Sequence, residues 1–258
     1  MFRSLRSRFG GGTTVQTTVH TPAAVPGGVV EGVVDVVGGE FEQQVTALSL
    51  ALVARVEVET GDGEHSATTD FGHQRLGGAL DLQPGARHSV PFRFPLPLHA
   101  PFTEYAGRPL PGSAVGLRTD LEIARSLDKG DLDPLRIVPL PAQERVLVAF
   151  ERLGFRLKGA DLERSRLRGS ALPFHQEVEF APSGEFAGRV NEVEVTFLAG
   201  PQAVEVVLEV DKRGGFFTEG RDVGVRFAVD HAAVDAHDWE RVLHEQLHAV
   251  ARRRGLFG

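Results

Sequence analysis

The residues with the clearest chemical potential lie close to the end of the chain. His244, Glu245 and His248 form the pattern H-E-x-x-H within the segment "VLHEQLHAV". On a helix, two histidines at this spacing lie on one face and can bind zinc, and the glutamate between them can act as a general base. The spacing therefore raises the hypothesis of a zinc-dependent hydrolase.

A zinc enzyme of this type needs a third protein ligand, which usually follows the motif. The residues after His248, "AVARRRGLFG", contain no side chain that binds zinc. His237 lies two turns upstream, but three ligands in line along one helix make a poor tetrahedron. With ten histidines in the chain, the short motif also arises readily by chance. We expect no catalytic residue, no bound metal and no other cofactor, and we favour adventitious zinc or nickel binding over catalysis.

The amphipathic pattern of the same segment predicts a C-terminal helix over 231–254. Its apolar side chains define one face, and all three histidines lie opposite that face. We expect the apolar face to dock on the folded body while the histidines face water. The predicted docking face comprises Trp239, Val242, Leu243 and Val250.

The rest of the chain predicts a protein made mainly of strands. Thirty glycines and fifteen prolines punctuate short runs of β-branched and apolar residues. Such runs lie at 13–20, 29–39 and 45–60, and they resume between 173 and 230. One helix is predicted within 142–155, where apolar residues follow helical spacing and Gly154 stands at the expected C-cap.

Two groups of carboxylates are candidate sites. Asp128, Asp131 and Asp133 lie in the segment 126–141, whose charges, glycine and prolines predict a connector between domains. Together they could hold a cation such as calcium, but they do not match a calcium-loop motif, and an acidic connector is favoured. Downstream, three pairs of glutamates recur at strand spacing, which suits either a hydrolase or a solvated sheet face, and we favour the latter. The pairs are Glu177 with Glu179, Glu192 with Glu194, and Glu205 with Glu209.

Composition and charge exclude several classes of partner. The formal charge of −7 gives no general attraction to nucleic acid or to anionic lipid. The absence of cysteine excludes disulfides and thiolate sites, and it fits a cytoplasmic protein. Residues 1–12 predict a flexible basic N-terminus, with membrane contact as a less favoured alternative. That segment alternates Phe2, Leu5 and Phe9 with Arg3, Arg6 and Arg8.

Several segments resemble one bacterial family in the same order along the chain. They are "LRTDLEIARSLDKGDLDPLRIVP", "LVAFERLGFRLKGADLE", "LPFHQEVEFAPSGEFAGRVNEVEVTF" and "VVLEVDKRGG", within residues 15–215. These segments are similar to the sporulation-control (SpoOM) family. The resemblance implies an arrestin-like fold and a cytosolic, non-enzymatic role in developmental control that is exerted through protein contacts.

The expected architecture is therefore all-β, with two arrestin-like β-sandwich domains, a short inter-domain helix and a C-terminal amphipathic helix. The expected domains are 13–125 and 142–230, joined by the connector 126–141, and the second domain opens with the short helix. The expected function is a regulatory or scaffold protein that binds other proteins. A zinc-dependent hydrolase and a membrane-associated adaptor are the alternatives.

Overall fold

The computed structural model describes residues 12–60, 63–164, 167–187, 190–211 and 225–253. They form two compact units. The first contains the chain up to Thr103 together with Ala114–Val138, and the second contains Glu104–Ser113 together with the chain from Pro139 onward. The predicted flexible N-terminus lies, apart from Gly12, outside the described residues.

The first unit is built from antiparallel strands, which are numbered here in order along the whole chain. A three-stranded sheet has the order β1-β2-β6, and a second sheet has the order β10-β9-β3, with β4 and β5 also pairing with β3. The strands are β1 Thr14–Val19, β2 Val29–Val37, β3 Gln43–Thr60, β4 Gly63–Gly77, β5 Leu80–Leu82, β6 Arg87–Pro95, β9 Val115–Ile123 and β10 Lys129–Pro134.

Alternating apolar residues build the core of this unit. Both sheets contribute buried side chains, which explains the period-two pattern in the sequence. Polar contacts also join the sheets, because the Oγ1 atoms of Thr17 in β1 and Thr119 in β9 lie 2.5 Å apart and are both buried. The buried apolar residues include Val30, Val34, Leu50, Leu52, Phe92, Phe94, Leu117 and Leu121.

The second unit contains one antiparallel sheet of order β11-β12-β13-β14-β15, a small hairpin and two α-helices. The helices α1 and α2 pack against each other, and α1 contacts β11 and β14. The elements are β7 Glu104–Tyr105, β8 Arg108–Pro109, α1 Pro141–Arg152, β11 Arg156–Glu163, β12 His175–Ala181, β13 Glu192–Ala199, β14 Ala203–Asp211, β15 Val225–Asp230 and α2 Trp239–Arg253, with short 3-10 helices at Gly184–Phe186 and His231–Ala233.

Local sequence explains both ends of α1. Pro141 occupies its first turn, where a missing N–H costs nothing, and the Gln143 side chain accepts a hydrogen bond from Leu140 N at 2.7 Å. At the other end Gly154 has φ +87°, and the next amide, Phe155 N, bonds to the Phe150 carbonyl at 3.0 Å. A glycine is favoured at this position because the left-handed conformation is strained for other residues.

The predicted domain boundary needs correction. The chain does pass between units at Val138, within the segment predicted as a connector, but Lys129–Pro134 of that segment forms the strand β10, which pairs with β9. In addition, Glu104–Ser113 belongs to the second unit rather than to the first domain. Pro111 O accepts a hydrogen bond from Ala160 N at 2.9 Å, and a side chain at Gly112 would collide with Ala160 O. Sequence composition cannot reveal such long-range pairing.

The prediction of a mainly β protein is confirmed, with two α-helices among the described residues. The finer prediction of two arrestin-like sandwiches stays a prediction. The C-terminal helix begins at Trp239 rather than at 231, because Asp238 Oδ1 caps it by accepting from Arg241 N at 3.0 Å. In the described part of the chain, neither helix is both long and apolar enough to span a membrane.

Candidate functional site

The helix α2 presents a narrow apolar stripe to the body of the second unit. Trp239, Leu243 and Leu247 recur every four residues and are buried, with Leu243 fully inaccessible. The Trp239 Nε1 group donates a hydrogen bond to Val234 O at 2.6 Å. Val242 is half-buried, and the side chain of Val250 lies outside the described residues. The stripe is therefore centred closer to Leu247 than the helical pattern indicates.

Two of the three histidines are only partly exposed to water. The side chains of His244 and His248 retain 40% and 26% of their exposure, because both rings pack on Phe186. Phe186 is almost fully buried, and its ring centroid lies 5.9 Å from that of His244 and 5.2 Å from that of His248. The 3-10 helix Gly184–Phe186, which precedes β13, thus shields these imidazoles partly from water through the Phe186 ring.

That same segment brings a carboxylate to the histidines. Glu185 Oε1 lies 2.7 Å from His244 Nε2, and Glu185 Oε2 lies 3.7 Å from His248 Nε2. The two Nε2 atoms are 3.2 Å apart. Among the described residues, these three side chains are the one group whose ligand atoms converge within 4.8 Å, as metal binding requires. We call Glu185, His244 and His248 the HHE cluster.

The sequence pattern gives no indication of Glu185, and it offers His237 as the third ligand. His237 is instead exposed, and its ring lies 5.2 Å from that of Trp239. Glu185 stands 59 residues before His244 in the sequence, and its local context "PSGEFAG" carries no metal-binding signal. Only the fold brings it to the helix. Glu245 is 62% exposed and pairs with Arg241 at 3.3 Å, so the glutamate of the motif is engaged away from the cluster.

The three glutamate pairs all lie on one face of the sheet β11–β15. Strand register places Glu179 directly opposite Glu194, and Glu194 directly opposite Glu209. Lys158 pairs with Glu179 at 3.4 Å and also contacts Glu192. We call this surface the acidic face, and it comprises Asp161, Glu177, Glu179, Glu192, Glu194, Glu205 and Glu209.

Crowding of like charges alters the acid–base behaviour of the acidic face. Burial, followed by the charges of Glu177, Glu209, Glu192 and Glu179, raises the pKa of Glu194 to about 8. Burial and the neighbouring Asp161 also raise the pKa of Glu179, and Lys158 partly offsets this. The face is therefore not an ordinary solvated surface, because ionised carboxylates repel one another across adjacent strands.

The three aspartates of the predicted connector have separate structural roles. Asp128 Oδ1 accepts a hydrogen bond from Ile123 N at 3.2 Å, and Asp131 Oδ2 accepts one from Thr17 N at 2.8 Å. Asp133 lies further inside, where burial and the charge of Asp131 raise its pKa to about 6. Within the described chain, their oxygens do not form a convergent cation site.

Comparisons with known proteins place the chain among sporulation-control proteins. The SpoOM protein family model matches residues 2–214. The chain is 35% identical over 226 residues to sporulation-control protein spo0M of Bacillus subtilis strain 168, covering 84% of this chain and 85% of that protein. It also aligns with the crystal structure of Spo0M from Bacillus subtilis at a TM-score of 0.82 and 34% identity, covering 93% and 99% of the two chains.

The family match and the structural alignment agree over most of the chain, whereas the histidines of α2 lie beyond the segment that the family model matches. The earlier resemblance, which rested on segments within residues 15–215, is thereby confirmed. This protein belongs to the SpoOM protein family.

Proposed function

We propose that this protein is a non-enzymatic control protein that binds other proteins, and that the free edge of β4 receives an extended segment of a partner. The regulatory role is supported by the similarity to sporulation-control protein spo0M. The single observation that carries the binding mode is the length of β4, which pairs with β3 alone among the described strands.

The strand β4 is long and is hydrogen-bonded on one side. It spans 15 residues, whereas strands in globular proteins usually have roughly 5–6. Among the described strands it pairs with β3 alone, and none of its residues with a described burial is buried. Its sequence contains no proline and no lysine, the residues that commonly protect such edges. The other edge of β4 therefore offers a row of backbone donors and acceptors.

Arginine side chains hold β4 in place on its sheet. Arg118 of β9 donates two hydrogen bonds to the carboxylate of Asp70, at 2.9 and 2.8 Å. These bonds, together with those to Asp120, raise the pKa of Arg118 above its ordinary value despite some burial. At the two ends, Arg55 donates to Ser66 Oγ at 3.0 Å and Arg75 donates to Thr46 O at 3.1 Å.

This anchoring favours recognition by strand addition. A partner segment would extend the sheet through main-chain hydrogen bonds, and side chains at alternate positions of β4 would provide specificity. Because β4 is already ordered, binding requires little loss of conformational freedom on this side of the interface. The polar composition of β4 also disfavours non-specific hydrophobic association.

The proposal is tested by site-specific photo-cross-linking in the native host. A photoreactive amino acid replaces His73, an exposed position in β4, and a matched control replaces Glu122, which is exposed in β9 between two paired strands. We expect a discrete cross-linked partner from position 73 that is absent from position 122. The partner is then identified by mass spectrometry and purified.

Hydrogen exchange with the purified partner gives the decisive measurement. We expect alternate amides of β4 to exchange rapidly in the unbound protein and to become protected in the complex. Equal cross-linking from both positions, or a complex in which β4 gains no protection, would show that partners bind elsewhere.

A further inference from the structure

We propose that the HHE cluster is a binding site for one divalent transition-metal ion, with zinc as the best-suited ion. Two imidazole nitrogens and one carboxylate are a ligand set that zinc accepts in proteins. This site is independent of the partner-binding edge proposed for β4, and it does not require that the protein be an enzyme.

The distances within the cluster match the geometry of a bound ion. A tetrahedral zinc ion with bonds of about 2.0–2.1 Å holds its ligand atoms about 3.3–3.4 Å apart. In the cluster, His244 Nε2 lies 2.7 Å from Glu185 Oε1 and 3.2 Å from His248 Nε2, and His248 Nε2 lies 3.7 Å from the other carboxylate oxygen, Oε2. Binding one ion would require side-chain rotations of His244, His248 and Glu185 that bring their ligand atoms to this spacing.

Hydrogen bonding satisfies the three groups only in part. A neutral imidazole nitrogen either carries a hydrogen or offers a lone pair, and it cannot do both. If His244 Nε2 donates to Glu185 at 2.7 Å, its nitrogen cannot also accept from His248 Nε2 at 3.2 Å. If His244 Nε2 instead accepts from His248 Nε2, it carries no hydrogen and offers no donor to the Glu185 carboxylate. A cation satisfies all three lone pairs at once.

Buried neighbours fix the elements that carry the three ligands. Leu243 and Leu247 anchor α2, while Phe186 anchors the 3-10 helix that presents Glu185. The backbone of this short helix is closed by hydrogen bonds from Phe186 N to Ser183 O and from Val190 N to Phe186 O. The Phe186 ring packs beside the imidazoles of His244 and His248 and restricts their orientation. The site is therefore largely preorganised, which favours binding.

The ion would have a structural role. It would join Glu185, which precedes β13, to α2 at the end of the chain, and so it would strengthen the docking of α2. Glu245 pairs with Arg241 and is mostly exposed, so the structure does not hold it as a general base for the site. The fourth coordination position remains available to water or to a partner's side chain.

Zinc binding by the full-length protein without a histidine tag tests the proposal. The protein is stripped with a chelator, and Zn²⁺ is then titrated in competition with a chromophoric chelator that reports free zinc. We expect one zinc ion per chain. Glu185→Gln and His248→Ala should each weaken binding by about tenfold or more, because each removes a ligand. Binding of one Co²⁺ with the intense visible absorption of a four-coordinate ion would support the same geometry.

Two variants serve as matched controls, and each replaces the same type of residue nearby. His237→Ala removes an exposed histidine beside α2, and Glu245→Gln neutralises an exposed glutamate within it. Both should bind zinc as the unchanged protein does. Circular dichroism verifies that every variant is folded, and zinc should raise the Tm of the unchanged protein but not that of Glu185→Gln. The proposal is overturned if stoichiometric binding is absent, if Glu185→Gln binds normally, or if His237→Ala weakens binding as strongly as His248→Ala.

Discussion

The two faces of the sheet β11–β15 arise from the same strands but differ in kind. On one face Val178, Phe180, Val193, Val195 and Leu208 are fully buried. On the other, Glu179, Glu194 and Glu209 align across three strands, and the pKa of Glu194 rises to about 8. The apolar face gains stability from each side chain that it buries, whereas the acidic face loses stability when its carboxylates ionise. Residue alternation assigns side chains to the two faces. Strand register determines which carboxylates lie close enough to repel one another and so lower stability.

The largest expected effect comes from placing a charge in the apolar core of the second unit. Leu243→Asp introduces an unpaired carboxylate at a position with no solvent exposure. We expect the free energy of unfolding to fall by about 3 kcal/mol or more, or α2 to undock. Denaturant unfolding measures the first outcome, and a red shift of Trp239 fluorescence reports the second.

Substitutions outside the buried stripe of α2 provide the contrast. With the metal removed by chelator, Glu245→Gln and His248→Ala should each change the free energy of unfolding by about 0.5 kcal/mol or less. If His248→Ala proves more damaging than Leu243→Asp under these conditions, the assignment of the buried stripe is wrong.

An intermediate effect is expected when the central charge of the acidic face is removed. The pKa of Glu194 is about 8 in the folded protein, against an ordinary value of 4.5. Between these values the folded state holds a proton that the unfolded state releases, so stability falls as pH rises from about 5 to about 8. Glu194→Gln should remove this dependence and increase stability at pH 9 by about 1 kcal/mol, a value that allows for solvent screening.

Unfolding curves of both proteins at pH 5 and pH 9 check this prediction. The unchanged protein and Glu194→Gln should have similar stability at pH 5 and should diverge at pH 9. Added salt should narrow the difference at pH 9, since it screens the repulsion among carboxylates. A Glu194→Gln variant that is less stable than the unchanged protein at pH 9 would contradict the interpretation of the acidic face as repulsive.

The smallest effect is expected at the margin of the acidic face. Glu205 forms an exposed ion pair with Arg226 at 3.3 Å. Glu205→Gln should therefore lower stability slightly, by about 0.5 kcal/mol or less, which is opposite in sign to the effect of Glu194→Gln. Unfolding at pH 9 in low salt measures it. If Glu205→Gln raises stability instead, the repulsion among carboxylates extends to Glu205, and the prediction is wrong.

How far the sequence predicts this protein depends on the distance along the chain over which each feature is determined. The helix α1 and its end at Gly154 follow from local signals, as does the apolar stripe through Trp239 and Leu243. The connector prediction was less successful, because Lys129–Pro134 has the composition of a loop but gains strand pairing from β9. The strand forms because β9 provides hydrogen-bond partners, and the local sequence does not reveal a partner that is distant along the chain.

The sequence by itself determined the mainly β fold, the SpoOM family and the faces of individual strands and helices, since these depend on residue type and periodicity. The tertiary structure decided which of those faces meet. Strand register aligned Glu179, Glu194 and Glu209, and packing of Phe186 brought Glu185 to His244 and His248. The physical reason is that periodicity fixes the direction of a side chain within its own element. The neighbours of that side chain are set by pairing and packing between segments far apart in the chain.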